Sequence, residues 1–284
     1  MFINIRGSLF DLTHPRVMGI INITDNSFYE GSRHMSEKSV LETAALMIDQ
    51  GVDILDIGGC STRPGSEPVD PDVEMKRVKM AVEIIRKHFP DAIISVDTYR
   101  ASVAEEAVLT SGADIINDIS AGEMDNNMFP LVEKLNVPYI LMHMQGKPST
   151  MQHNPVYNDV ISDVLMWLGV KITDLKQRGV KDIIIDPGFG FGKTIEQNFE
   201  MLRGLDSFSV TGLPLLIGLS RKTTIWKTLG ITPDEALNGT TALNMAALMK
   251  GANILRVHDV KEASETVRLF EKIYPDGISF MHYC

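Results

Sequence analysis

The sequence predicts an α/β fold, a (β/α)8 TIM barrel with a short hairpin-like N-terminal extension over residues 1–15. Short apolar runs rich in β-branched residues alternate with longer helical patterns, which is typical of a parallel sheet built from βα units. Eight such runs occur in the 284 residues, and a polar residue stands at or just past the end of each one. Because barrels of this type span about 200 to more than 400 residues as one unit, we expect a single domain over residues 1–284.

The predicted elements follow in order along the chain. Residues 2–10 have strand character and precede a turn-like sequence at residues 13–15. The eight apolar runs cover residues 17–23, 52–57, 93–96, 115–119, 138–142, 183–185, 215–219 and 254–257. Between them, an apolar helical face over residues 41–48 ends before Gly51, and Asp70-Pro71 predicts a helix start. Residues 232–235 have the pattern of a capping box with proline at the first helical position.

A polar side chain ends every predicted strand. These residues are Asn22, Asp56, Asp97, Asn117, His143, Asp186, Ser220, and Arg256 together with His258. In a barrel the carboxyl ends of the strands meet at one face, so these side chains would converge there. A helix cap explains any single polar residue at a strand end. Its recurrence at all eight strands favours a shared site, with Asp56 interpreted as structural.

Composition excludes several classes of protein. The net charge is −10, from 27 basic and 37 acidic residues, which argues against non-specific nucleic-acid binding. No run approaches the roughly 18 apolar residues of a membrane span. Two cysteines are too few for a disulfide framework and lack the spacing of zinc ligands. The first 16 residues lack the pattern of a secretory signal, so we expect a cytoplasmic protein.

The stretch at residues 183–193 places Asp186 directly after a buried strand and before three glycines. The glycines allow the backbone to approach a flat ligand, and Phe189 and Phe191 are candidates for aromatic walls. A Walker A loop is excluded by spacing, because only three residues separate Gly188 from Gly192 where that motif needs four. An ordinary turn with Asp186 as a helix cap remains an alternative.

Two further regions suit an anionic ligand. A glycine-flanked loop at residues 58–65 carries hydroxyls and Arg63, although a flexible surface loop has the same composition. Residues 220–222 and 256–258 follow the seventh and eighth strands, where barrels of this kind usually bind phosphate. Arg256 and His258 are two apart in a strand, so their side chains would share one face and can clamp an anion. Solvated surface cations are the alternative.

The remaining polar set at the predicted mouth consists of Asp97, Asn117, Asp186 and Lys222. Two carboxylates, an amide and an ammonium match a heterocycle with several N–H donors on one edge and an acceptor on another. The carboxylates can instead act as general acid and base, or hold a metal. His143 is either catalytic or a packing group, and its role stays open.

Motifs spread in order from the first strand to the last resemble one family. They are Met18-Gly19-Ile20-Ile21-Asn22-Ile23-Thr24, Gly58-Gly59 with Ser61-Thr62-Arg63-Pro64-Gly65, Ser95-Val96-Asp97-Thr98, Ile116-Asn117-Asp118-Ile119, His143-Met144-Gln145-Gly146 with Pro148 and Met151-Gln152, residues 186–193, residues 218–222, and Arg256-Val257-His258-Asp259. Together they resemble the dihydropteroate synthase family.

That resemblance implies a folate-biosynthesis transferase that joins 6-hydroxymethyl-7,8-dihydropterin pyrophosphate to p-aminobenzoate, with magnesium (Mg2+) as cofactor. By the same resemblance the pterin would be held by Asp97, Asn117, Asp186, Lys222 and Arg256. The pyrophosphate would be held by Asn22, Thr62, Arg63, Arg256 and His258, with Asn22 also at the magnesium. The p-aminobenzoate site, where sulfonamides also bind in the family, would comprise Phe28, Thr62, Pro64, Phe191 and Lys222. The resemblance gives Arg63, Lys222 and Asp97 the catalytic roles.

The loop after the first strand departs from the family. The family usually has proline and aspartate where this chain has Asp25 and Asn26. The change removes a φ restraint and a negative charge that could pair with Arg63. We therefore hypothesise altered loop closure, p-aminobenzoate affinity or sulfonamide response.

Two other functions remain alternatives. A methyltetrahydrofolate-dependent methyltransferase shares the barrel and the pterin-contacting acids, but it has no pyrophosphate to bind. A paralogue that binds pterin without turnover is the other, because the altered first loop is where catalysis can fail. The resemblance also implies a homodimer, formed through helices near residues 232–250, with small-molecule substrates and no nucleic-acid or membrane partner.

Overall fold

The chain begins with a small antiparallel hairpin. In a computed structural model, which describes residues 1–23, 33–60, 69–146, 151 and 155–275 and gives side chains for all of these except 33–36, strand β1 (Phe2–Ile5) pairs with β2 (Ser8–Asp11). Arg6 and Gly7 form the turn with φ values of 52° and 84°. The predicted hairpin-like extension is confirmed.

Eight parallel strands follow and form the barrel. They are β3 (Arg16–Asn22), β4 (Ile54–Gly58), β5 (Ile93–Asp97), β6 (Ile115–Asp118), β7 (Tyr139–Met142), β8 (Ile183–Asp186), β9 (Leu216–Ile217) and β10 (Ile254–Val257). Each strand pairs with its neighbour in chain order, β10 returns to pair with β3, and a bridge between Ile185 and Leu215 joins β8 to the segment of β9. The sheet therefore closes on itself, and the predicted (β/α)8 barrel is confirmed.

Helices surround the barrel. They are α1 (Arg33–Asp49), α2 (Pro71–His88), α3 (Ala101–Glu106), α4 (Met128–Leu135), α5 (Val160–Gln177), α6 (Ile195–Arg203), α7 (Thr223–Leu229), α8 (Leu237–Leu248) and α9 (Val260–Ile273). Asp70 caps α2 as predicted, because its side chain accepts from the Asp72 amide ahead of a first-turn proline. The capping box at Thr232 is also present, but it begins a single 3-10 turn, and α8 starts after it.

Besides a small cluster of Ile119, Met142, Met144 and Met151, the core of the described residues has two layers. One lies between the sheet and the helices, and the other fills the amino-terminal end of the barrel interior. The inner layer takes one apolar residue from each barrel strand and four from the N-terminal extension: Met18, Ile54, Ile93, Ile115, Ile140, Ile184, Leu216 and Ile254, with Ile3, Ile5, Phe10 and Leu12. The hairpin thus closes one end of the barrel, and the carboxyl ends of the strands form the mouth. Across the described ranges, no helix is long and apolar enough to cross a membrane.

Candidate functional site

A cavity of about 610 Å³ opens at the carboxyl ends of the strands. Its lining comes from the ends of β3, β5 and β10 and from the loops after β8, β9 and β10. The polar and aromatic lining residues include Asn22, Asp97, Phe191, Ser220, Arg221, Lys222, Trp226, Arg256, His258 and Asp259. Most of the predicted strand-end residues therefore meet at one face, as the barrel geometry requires.

A network of buried charges forms the floor of the cavity. The Arg256 Nε donates to Asp56 Oδ2 at 2.7 Å, and its Nη2 donates to Asp97 Oδ2 at 2.6 Å. Asn117 donates its amide N–H to the same Asp56 oxygen at 3.1 Å. Asp56 is fully buried, and a buried carboxylate is stable only when it is paired in this way. Asp56 is thus structural, as predicted, but its role is to hold two residues of the site in place.

Asp97 presents a free acceptor to the cavity. Its Oδ1 atom is buried and has no hydrogen-bond partner among the residues that the structure describes. Burial raises the pKa of Asp97 to about 7, although the nearby Arg256 cation opposes the shift. A ligand N–H would satisfy this oxygen, because a buried acceptor left unpaired is unfavourable. The carboxyl group can also exchange a proton near neutral pH.

The absence of a side chain at Gly58 makes room beside Asp97. A Cβ atom built on Gly58 would lie 2.9 Å from Asn22 Oδ1 and 3.8 Å from the Asp97 Cβ. Gly58 and Asp97 are partners in the register of β4 and β5, and Asn22 pairs with Gly58 from the other side. The glycine therefore allows the Asn22 amide and the Asp97 carboxylate to lie close together.

Asp186 and Lys222 are two further charged residues of the site, and their opposite charges attract each other. Asp186 Oδ1 accepts from the Gly188 amide at 2.7 Å, and helix α6 begins only at Ile195 with Thr194 as its cap. The alternative that Asp186 caps a helix is therefore wrong. Burial raises the pKa of Asp186 and lowers the pKa of Lys222 to about 8, and the attraction between the two charges opposes both shifts.

The turn over residues 188–192 brings backbone and aromatic groups to Lys222. Gly188, Gly190 and Gly192 have φ values of 72°, 77° and 64°, which other residues adopt only with strain. Lys222 donates to the carbonyl of Phe189, and its Nζ lies 4.6 Å from the centre of the Phe191 ring. The side chains of Phe189 and Phe191 in this turn point in different directions.

The prediction that both phenylalanines form aromatic walls is wrong for Phe189. Phe191 lines the cavity, whereas the Phe189 side chain is buried in the core. Residues two apart share a face only in a strand, and the left-handed glycines break that alternation here.

His143 and Lys193 are buried beneath this turn. The Lys193 Nζ lies 3.0 Å from His143 Nδ1 and donates to the carbonyls of Gly188 and Phe191 at 3.0 and 3.2 Å. Burial, reinforced by the Lys193 charge, lowers the pKa of His143 to about 2, so its ring is neutral. Sequence reasoning left His143 open and gave Lys193 no role. The signal for Lys193 was its place directly after a glycine turn that starts at a strand end.

The loops after β9 and β10 are joined by an ion pair. Arg221 donates from Nε and Nη2 to the two carboxylate oxygens of Asp259 at 2.9 and 2.6 Å. Ser220 Oγ lies 3.1 Å from His258 Nδ1. Of the predicted anion-binding residues, Arg221 is thus paired with Asp259 at the rim, and Arg256 is paired with Asp56 and Asp97 on the floor. Lys222 and His258 line the cavity with them.

Within the described ranges there is no group of three His, Cys, Asp or Glu side chains that can hold a metal ion. Asn22 nevertheless places one amide oxygen in the cavity. One amide oxygen cannot enclose a metal ion by itself. It is compatible with magnesium, because this ion usually keeps waters and substrate phosphates among its ligands.

The structure does not describe the other predicted site residues. Asp25, Asn26, Phe28, Thr62, Arg63 and Pro64 lie outside the described residues, so their roles stay predictions. Of the predicted pterin residues, Asp97, Lys222 and Arg256 line the cavity. Asn117 and Asp186 are buried, and they are linked to the lining residues through the contacts given above.

Comparisons with known proteins agree with this architecture. Residues 18–258 match the family described as pterin binding enzyme. The chain is 42% identical over 268 residues to dihydropteroate synthase of Escherichia coli strain K12, covering 94% of each chain. It is 41% identical over 263 residues to that of Bacillus subtilis strain 168, covering 92% of this chain and 89% of the relative.

Solved structures give the same result. The dihydropteroate synthase of Yersinia pestis with a sulfonamide drug superposes with a TM-score of 0.90 at 38% identity, covering 97% of this chain and 100% of that one. The enzyme of Xanthomonas albilineans with 4-aminobenzoic acid superposes with a TM-score of 0.88 at 34% identity, covering 96% and 97%. With this barrel, this buried acid–arginine floor and these relatives, the chain belongs to the dihydropteroate synthase family of pterin-binding enzymes.

Proposed function

We propose that the chain joins 6-hydroxymethyl-7,8-dihydropterin pyrophosphate to p-aminobenzoate and releases pyrophosphate and 7,8-dihydropteroate. The observation that carries this proposal is the cavity itself, where the Asp97 carboxylate, with one oxygen unpaired among the described residues, lies beside Lys222 and Arg256. Relatives have been solved with 4-aminobenzoic acid and with 7,8-dihydropteroate, which are the second substrate and the product of this reaction.

The floor suits the pterin ring. A pterin presents N–H donors along its pyrimidine edge, and the free Asp97 oxygen and the Asp186 carboxylate can accept them. Lys222 and the Asn117 amide supply donors for the ring carbonyl and nitrogen. Such a match discriminates strongly, because a ligand without those groups would leave buried charges unpaired.

The cations suit the leaving group. The C–O bond between the pterin methylene and the pyrophosphate breaks with its electron pair on oxygen, and Arg256 and His258 lie where they can stabilise that anion. The amine of p-aminobenzoate then forms the new C–N bond at the methylene and loses a proton. No protein nucleophile is needed, so positioning and charge stabilisation are the tasks of the chain.

Membership of this family supports two further proposals, one about a metal ion and one about the oligomeric state. Magnesium would bind Asn22 together with pyrophosphate oxygens, and there it would neutralise charge on the leaving group. A homodimer through residues 232–250 would be detected by light scattering of the purified chain. The cytoplasmic location stays a prediction from sequence.

The test of function is coupled product formation. We expect the purified chain, given pterin pyrophosphate, magnesium and p-aminobenzoate, to release pyrophosphate in step with dihydropteroate. Asp97→Asn should lower kcat/KM by about 10- to 100-fold, because it replaces a charged hydrogen-bond acceptor worth about 1.5–3 kcal/mol. Asp206→Asn, which loses only a half-exposed ion pair with Lys250, should match the wild type.

Two outcomes would overturn the proposal. Binding of pterin pyrophosphate without product in the wild type would identify a non-catalytic paralogue. Methyl transfer from methyltetrahydrofolate would identify the methyltransferase alternative.

A further inference from the structure

Lys193 is a buried lysine that, among the described residues, forms no ion pair with a carboxylate. Its side chain is only 2% exposed, and no carboxylate oxygen of a described residue lies within ion-pair distance of its Nζ. The Nζ atom instead donates to the carbonyls of Gly188 and Phe191 and shares a hydrogen bond with His143 Nδ1. Burying an ammonium is costly, and burial lowers the pKa of Lys193 to about 7. The side chain is held at this position by hydrogen bonds to neutral groups.

The two carbonyls belong to the turn that shapes the cavity. Three site groups depend on where this turn lies. The Phe191 ring lines the cavity, the Lys222 amine donates to the Phe189 carbonyl, and Asp186 accepts from the Gly188 amide. Lys193 holds the turn from the core side through residues 188 and 191, while Lys222 holds it from the cavity side through residue 189.

His143 anchors the lysine to the barrel. Its backbone amide donates to the Asp186 carbonyl at 2.9 Å, and its ring packs edge-on against Trp167 with centres 4.9 Å apart. The ring therefore cannot rotate freely, and its Nδ1 atom shares a hydrogen bond with the Lys193 Nζ. Burial and the adjacent ammonium lower the pKa of His143, which keeps that nitrogen available.

We propose that Lys193 and His143 are a positioning pair for the reaction: by fixing the carbonyls of residues 188 and 191, they place Phe191 and the Lys222 amine for the approach of the p-aminobenzoate amine. The pair does not contact substrate, and it acts through Phe191 and Lys222. The kinetic test of this inference rests on the proposed function. The positions of Phe191 and Lys222 can be tested without it.

The kinetic test uses variants that remove the hydrogen bonds of one member of the pair at a time. Lys193→Met keeps an unbranched chain but removes all three donors. His143→Phe keeps a ring against Trp167 but removes the acceptor, and His143→Asn restores an acceptor near the position of Nδ1. Lys134→Met, at an exposed ion pair with Glu105, is the matched control.

We expect kcat/KM for p-aminobenzoate to fall at least 10-fold in Lys193→Met and His143→Phe. The enzyme concentration in this measurement is that of the molecules that bind dihydropterin. His143→Asn and Lys134→Met should stay within about threefold of the wild type. A purely structural lysine would reduce the folded fraction and leave the kinetic constants of the remaining molecules unchanged. That result, or equal damage from His143→Asn and His143→Phe, would overturn the inference.

A second measurement separates this inference from the proposed function. If the wild type makes no dihydropteroate, the function has failed, and the pair is tested by crystal structures of the variants. A Phe191 ring displaced by about 1 Å or more in Lys193→Met would support the pair, and an unmoved ring would contradict it. If Lys193→Met does not fold, His143→Phe serves in its place, because it leaves the ammonium and both carbonyl acceptors intact.

Discussion

His143 shows how burial decides the chemistry of a single residue. A histidine at the end of a barrel strand suggests acid–base catalysis, but this ring is 5% exposed and lies against an ammonium group. Both effects disfavour the protonated ring, so the pKa of His143 falls from 6.5 to about 2. The residue is therefore a permanent hydrogen-bond acceptor at physiological pH.

That shift predicts a specific dependence of stability on pH. Between pH 6.5 and about 2, the unfolded chain binds a proton at His143 and the folded chain does not. The free energy of unfolding therefore falls as the pH falls below 6.5, by about 1.4 kcal/mol per pH unit from this group. His143→Asn removes the term, so its urea-unfolding free energy should fall less steeply than that of the wild type between pH 6.5 and 5. Parallel curves would show that the folded protein protonates His143.

Sequence reasoning found the residues whose type and position both suggest a site. Asp97 and Arg256 stand at strand ends, and the structure brings them together at the cavity floor. Asp56 was assigned no part in the site, because its partner Arg256 lies 200 residues away and only the closed barrel makes them neighbours. A carboxylate within an otherwise apolar buried strand does, however, signal that some cation must pair with it.

At the scale of elements, the turn after β8 shows why glycine is needed. A Cβ atom on Gly188 would lie 1.9 Å from the His143 carbonyl oxygen, and one on Gly192 would lie 2.5 Å from the Gln145 carbonyl oxygen. Both glycines also have positive φ. The turn can therefore pack directly on the loop after β7 only without side chains at these positions.

Gly188→Ala should accordingly be far more harmful than a glycine substitution with room for the new methyl group. Gly7→Ala is the matched control, because Gly7 has φ 84° and nothing within 4 Å of its Cβ position. Both changes carry a left-handed backbone penalty of about 1–2 kcal/mol. Gly188→Ala adds overpacking against backbone, about 1–3 kcal/mol more, and should also raise KM for p-aminobenzoate. Equal unfolding free energies for the two variants, measured in urea, would contradict the close packing.

The elements themselves were largely predictable. Hydrophobic runs located all eight barrel strands, since period and flanking turns are local properties of sequence. The run at residues 215–219 shortens to Leu216–Ile217, because the strand pairing ends at Ile217 and a turn follows in which the Leu219 carbonyl accepts from the Lys222 amide. The Phe189 error has a related cause, because the direction of a side chain in a glycine turn depends on φ values that the sequence does not specify.

At the scale of the molecule, stability and function are divided between the two ends of the barrel. The hairpin packs Ile3, Ile5 and Leu12 on the apolar layer at the amino-terminal end. The charged network and the cavity lie at the carboxyl ends of the strands. This division follows from barrel geometry, which places the functional loops at one face.

This division predicts that the core can be weakened without a change in the site. Ile3→Ala removes a side chain that is 2% exposed, and it should lower the free energy of unfolding by about 2–5 kcal/mol. Leu9→Ala, in the same hairpin but 73% exposed, should change it by less than about 0.5 kcal/mol. Both variants should keep the wild-type KM for p-aminobenzoate below their melting temperatures, because neither residue contacts the cavity. An altered KM in Ile3→Ala alone would mean that packing at the closed end of the barrel reaches the mouth through the strands, and the two ends would then have to be treated as one coupled unit.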